Sequence, residues 1–169
     1  MRVSSDALVA ALLEVERHVG RLGWDQPARL FALVPTAQLL AAEPALAGHL
    51  AGGPADGYSS VEQDGFLPGT DLAAALARIG WPETVSGCAL AVERAFLPGD
   101  AEADLPDDPD AAARVVAAHP QRLDLRVVVG ATRDGQRHGV ARVRGADGDL
   151  LGGADLVPAL ADALAHTLE

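Results

Sequence analysis

The chain has 169 residues, 13 basic and 24 acidic, for a formal charge of −11; 49% are hydrophobic, 4% aromatic and one is cysteine. At this length one domain is the default, and folding buries about 70% of the surface the unfolded chain exposes, so neither a disulfide nor a metal is needed for a core. The acidic balance argues against duplex nucleic acid and anionic membrane as main partners, because both attract basic surfaces.

All 13 basic residues are arginine, and lysine and asparagine are absent, the composition expected of a GC-rich genome. Cys88 has no second thiol to pair with, which suits a reducing compartment. Glu14 and Glu16 interrupt the first apolar stretch, so it does not read as a secretory signal, and no uninterrupted apolar run reaches membrane-spanning length. A soluble cytoplasmic protein is expected.

Leu8, Ala11, Leu12, Val15, Val19 and Leu22 fall on one face of a helix over 5–22, with Ser4, Ser5 or Asp6 as cap and Gly23 as left-handed terminator. Residues 29–34 are a short apolar run closed by Pro35 and predict a buried strand; Thr36 opens a helix through Ala42, with Pro44 at its kink or second start. After the turn-rich connector 52–57, Tyr58–Gln63 reads as a short strand. Leu72, Ala75, Leu76 and Ile79 mark a helix over 71–79. Its end, Arg78-Ile79-Gly80-Trp81, matches Arg21-Leu22-Gly23-Trp24, and two independent glycine terminators explain the match better than a duplication.

From Val85 to Leu97, Ser86, Cys88, Leu90 and Val92 alternate with Gly87, Ala89 and Ala91, which predicts a central strand with a small-residue face where a helix lies close. Residues 98–110 form an acidic, proline-rich loop whose end places Asp108 as N-cap and Pro109 in the first turn of a helix to Ala118. Next comes a hairpin, 123–133 and 136–144, read as a type I′ turn at Asp134-Gly135. That turn pairs Thr132 with Arg137, Gly130 with Gly139, Val129 with Val140 and Val127 with Arg142, so Leu125, Val127 and Val129 share a face with His138, Val140, Arg142 and Arg144. Asp147-Gly148 makes a further turn, and Leu156, Leu160, Leu164 and Leu168 stripe a final helix from Asp155, its cap, to Leu168. The order predicts a single α+β domain over 1–169, helices packed on a mostly antiparallel sheet, with a doubly wound parallel sheet as the structural alternative.

The chemistry-bearing residues do not assemble into a familiar site. Cys88 alternates with apolar neighbours inside the predicted central strand and reads as core, not nucleophile. The histidines at 18, 49, 119, 138 and 166 lie on five elements without zinc spacing; Glu14 and His18 are an ordinary helical pair. A phosphate loop is missing, and Gly152-Gly153 before the last helix is a weak anion site. No cofactor and no metal are therefore expected.

Charge is more informative. Residues 122–144 carry six arginines against Asp124 and Asp134, whereas 98–110 carry six acids and no base. The candidate binding residues are Arg126, Arg133, Arg137, His138, Arg142 and Arg144 on the hairpin, together with Asp104, Asp107 and Asp108 of the acidic loop, which covers the arginines as a clamp, screens them as a lid, or stays solvated.

The segments Gly23-Trp24-Asp25-Gln26-Pro27, Leu33-Val34-Pro35-Thr36, Gly87 to Arg94, Glu102 to Asp108 and Asp155-Leu156-Val157-Pro158 resemble a family of small uncharacterised proteins from high-GC Gram-positive bacteria. The resemblance spans nearly the whole chain and implies no activity, cofactor or substrate. The leading expectation is a non-catalytic cytoplasmic binding or adaptor protein acting through a protein partner or self-association. The alternative is a small hydrolase or transferase with a site around Glu93 and His138. Nucleic-acid binding through the arginine hairpin ranks last, because aromatic side chains for stacking are lacking there.

Overall fold

The computed structural model describes residues 5–42, 57–63, 65–66, 72–96, 106–118, 123–144, 150–153 and 157–169. The expectations for Ser4, Pro44, 52–56, 98–105, the turn at Asp147-Gly148, and Asp155 and Leu156 lie outside them. In chain order the elements are α1 (Ser5–Gly20), β1 (Arg29–Pro35), α2 (Thr36–Ala42), β2 (Tyr58–Glu62), α3 (Leu72–Ala77), β3 (Gly87–Phe96), α4 (Pro109–Ala118), β4 (Leu123–Thr132), β5 (Arg137–Val143), β6 (Leu150–Gly153) and α5 (Pro158–Thr167).

The strands form one six-stranded sheet in the order β2-β1-β3-β4-β5-β6, and every neighbouring pair is antiparallel. This is the α+β architecture expected from the sequence, and the doubly wound alternative does not occur. Strand alternation sends successive side chains to opposite faces, and both faces are covered. On one, Leu8, Leu12, Val15 and Val19 of α1 pack over Phe31, Leu33, Ala89, Ala91 and Val128. On the other, Leu76 of α3, Leu164 of α5 and Leu168 just past its end meet Leu30, Cys88, Leu90, Val127 and Val129. Ala89 and Ala91 are thus the small face of β3, and α1 is the helix that lies on it. Gly130, beside Ala89 in the ladder, lets α1 come closer still: a Cβ there would stand 2.7 Å from Leu12 Cδ2 and 3.1 Å from Leu8 Cδ1.

The hairpin register differs from the expected one by one residue. The observed pairs are Arg126 with Arg142, Val128 with Val140, and Gly130 with His138. The cause is the turn. A type I′ turn needs positive φ at both central residues. Here Gly135 has a φ of 90° and Asp134 does not share the left-handed region. Gly135 N–H donates to the Thr132 carbonyl and Thr132 N–H to the Gln136 carbonyl, which closes a three-residue loop over Arg133–Gly135. The slip transfers a whole side-chain set to the other face. Leu125, Val127 and Val129 therefore face α5, while Arg126, Val128, His138, Val140 and Arg142 face α1.

Three helix ends also depart from expectation. α1 stops at Gly20, so Leu22 falls beyond it and is 44% exposed, while Gly23 takes the expected left-handed φ of 88°. Gly80 does not share that conformation, and the two Gly-Trp ends are not structurally equivalent. Gly152 and Gly153 belong to β6, and α5 begins at Pro158, with Val157, not Asp155, as the flanking residue. Proline suits that first position because its missing N–H has no helical partner to lose.

Candidate functional site

The row Glu93, Arg126, Arg142 runs straight across β3, β4 and β5 on the face under α1. Glu16 of α1 comes down onto it, 2% exposed. Arg126 Nη1 donates to Glu16 Oε1 at 3.1 Å; Arg142 donates through Nε to Oε1 at 2.6 Å and through Nη2 to Oε2 at 3.2 Å. Burying charges is tolerable only with this degree of pairing. The hydrogen bond to Glu16 holds the Arg142 pKa above its ordinary value.

The loop after α1 closes the arrangement. Arg126 Nη2 donates to the Gly23 carbonyl at 3.2 Å, and its guanidinium lies 4.3 Å from the centre of the Trp24 ring, with that of Arg144 at 5.3 Å. Planar guanidinium groups stack on an indole face with favourable electrostatics. Arg144 also forks onto Asp25 at 2.9 and 3.2 Å, which lowers the Asp25 pKa. Asp25 has a left-handed φ of 64°, and its N–H, with that of Gln26, donates to the Glu93 carboxylate at 2.9 and 2.6 Å. Glu93 thereby fixes a strained loop.

The other candidate residues separate. Arg133 faces α5: its Nε donates to the Val85 carbonyl at 2.7 Å, Nη1 to that of Leu168, and Nη2 to those of Trp81 and Pro82 at 3.2 and 3.1 Å. Arg137 pairs with Asp162 of α5. His138 is on the α1 face, and burial lowers its pKa. It stands four residues along β5 from Arg142, so it lies roughly 13 Å from the Glu93 row in the strand direction and two strands away across it. The structure does not bring Glu93 and His138 together. Asp107 and Asp108 are exposed, and Asp108 caps α4 as expected by accepting the Ala111 N–H at 3.1 Å; Asp104 lies outside the described residues. Cys88 is fully buried, and loss of solvation pushes its thiol up to about 11.

Sequence reasoning missed Glu16 and Trp24 as partners of the arginines. Glu16 was legible: it stands four residues after Leu12 and eight after Leu8, on the apolar face itself. It also missed a cavity of about 490 Å³ between the α3 end and the β1–β2 edge, whose apolar wall is Leu30, Phe66, Ala75, Ile79, Trp81 and Pro82. Among the described residues Glu62, Gln63 and Arg78 are its charged or amide-bearing members, and Glu62 is already held by Arg29 at 2.6 Å. Trp81 is anchored by its indole N–H on Thr167 Oγ1 at 2.9 Å.

Among the described residues, no group of three or more His, Cys, Asp or Glu side chains could hold a metal ion, and no helix is long and apolar enough to cross a membrane. No curated protein and no solved structure matches the chain. The likeness that does emerge is at family level and agrees with the resemblance read from the sequence segments: the model of an uncharacterised family matches residues 8–169, and the chain belongs to that family, the PPA1309-like proteins.

Proposed function

We propose that this chain is a non-catalytic cytoplasmic binding or adaptor protein whose protein partner adds an extended segment to the β2 edge of the sheet. The absence of lysine and asparagine supports the narrower placement of the family in high-GC Gram-positive bacteria. The observation that carries the functional reading is Val61. It stands on an outermost strand with 43% of its surface exposed, and among the described residues no strand pairs with the outer side of β2. An edge strand offers unpaired N–H and C=O groups to an incoming segment, and an apolar side chain on it adds contact area. The net charge of −11 favours a basic partner and opposes pairing of two copies. The hairpin arginines, by contrast, are engaged within the chain.

The experiment compares the native chain with Val61→Lys and Val61→Thr, each checked for unchanged melting. Extract from the native cell is passed over each, and retained proteins are identified by mass spectrometry while light scattering gives the oligomeric state. The expected result is a monomer that retains a stoichiometric basic protein, lost with the charged variant and kept with the threonine variant. Equal retention by Val61→Lys, no retained partner, or a native dimer that the lysine dissolves would each overturn the partner reading.

A further inference from the structure

We propose that the cavity beside Trp81 is a binding site for a small amphipathic monocarboxylate, with an aromatic or aliphatic body inside and its carboxylate on Arg78. The site borders β2 through Glu62 but does not depend on pairing at that edge, and its test reads ligand binding, not association. Three observations carry it. The volume, about 490 Å³, lies within the roughly 300–1,000 Å³ of sites that enclose small molecules. The wall is apolar where it is deepest: Leu30 is 1% exposed, and Phe66, Ile79 and Trp81 present half-buried side chains to the same space. Burial of apolar surface supplies the affinity of such a pocket, and Trp81 and Phe66 supply flat faces for a ring.

Arg78 determines the charge of the ligand. It lines the cavity just past the end of α3, and among the described residues its guanidinium has no carboxylate or carbonyl partner, although most of the described arginines do. Glu62, the acidic residue among the described lining residues, is neutralised by Arg29 and does not compete for it. One free guanidinium matches one carboxylate in a forked pair. A doubly charged phosphate would bring a second negative charge toward Glu62, with no second cation among the described lining residues to meet it, in a chain of charge −11. Monocarboxylates are therefore favoured over phosphates.

The probes are 2-naphthoate, 2-naphthamide as its neutral isostere, and 2-naphthyl phosphate, titrated into the full chain and followed by calorimetry and by amide shifts in nitrogen-15 spectra. Naphthoate is expected to bind, with the largest shifts at 62–66 and 78–82, and to bind tighter than the amide or the phosphate. Arg78→Gln, an exposed position that leaves the core untouched, should weaken naphthoate about tenfold or more, as loss of a charge-assisted contact does, while leaving the amide unchanged. Ala75→Leu, which narrows the cavity, should weaken both. No naphthoate binding at millimolar concentration, shifts centred elsewhere, equal affinity for acid and amide, or an Arg78→Gln chain that binds naphthoate as before would each overturn the proposal.

Discussion

Glu16 answers two guanidinium groups from the core side of α1, and among the described residues it is the carboxylate on which Arg126 is paired. Arg126 is 3% exposed and its Nε has no partner among the described residues, so its charge depends on Glu16, the Gly23 carbonyl and the Trp24 face. Glu16→Gln keeps the shape and removes the charge. We expect it to cost about 3 kcal/mol, the lower part of the range for breaking a buried pair, since two of the three supports of Arg126 remain. The combined change Glu16→Leu with Arg126→Met should recover much of that loss, because the two fully buried charges go together while Arg142, its side chain 34% exposed, keeps access to water. Urea unfolding of the three variants checks this, and a Glu16→Gln chain within 1 kcal/mol of the native one would show that the pair contributes little. This residue was open to inspection in the sequence through its helical spacing. Trp24 was not, because only the tertiary fold places two arginines, distant in sequence, beside its ring.

Both layers share β4, as they share its neighbours β3 and β5: α1 lies on Arg126, Val128 and Gly130, and α5 lies on Leu125, Val127 and Val129. Gly130 sets the spacing on the α1 side. Gly130→Val would drive two methyl groups toward Leu12 and Leu8 and should destabilise the fold by about 1–3 kcal/mol, the ordinary cost of overpacking. The loss should shrink when Leu12→Val is added, since a shorter side chain yields the space. Thermal unfolding of the single and double variants measures the coupling. At this scale the sequence was most informative: the apolar run before Pro35 located β1, the stretch after the turn-rich connector β2, alternation β3, Asp134-Gly135 the hairpin, and Asp108-Pro109 the start of α4. What it did not disclose was the backbone angle at Asp134, and that single angle decided which residues of β5 share a face with Arg126.

For the molecule as a whole, covering both sheet faces means that the central strands become accessible only when helices leave. Cys88, on β3, reports this directly. Its thiol is raised to about 11 and contacts the Leu164 carbonyl and Thr167 hydroxyl of α5. Iodoacetamide at mildly alkaline pH should label it on the order of a thousandfold or more slowly in the native chain than in denaturant, in step with global unfolding. Labelling within tenfold of the denatured rate would mean that α5 detaches by itself. Strand order and the shape of the cavity at this scale were not readable from spacing, because they depend on which elements far apart in the chain become neighbours.

The three-residue connection over Arg133–Gly135 has its tip at the surface, where exchanges of side chain are usually harmless, yet the pair that closes it, Thr132 with Gln136, decides which side of β5 looks inward. Closing the bend one position later, with Arg133 opposite Gln136, would turn Arg142 away from Glu16 and send it toward the oily layer under α5. Evolution can therefore vary the letters of this bend freely as long as the same two residues close it.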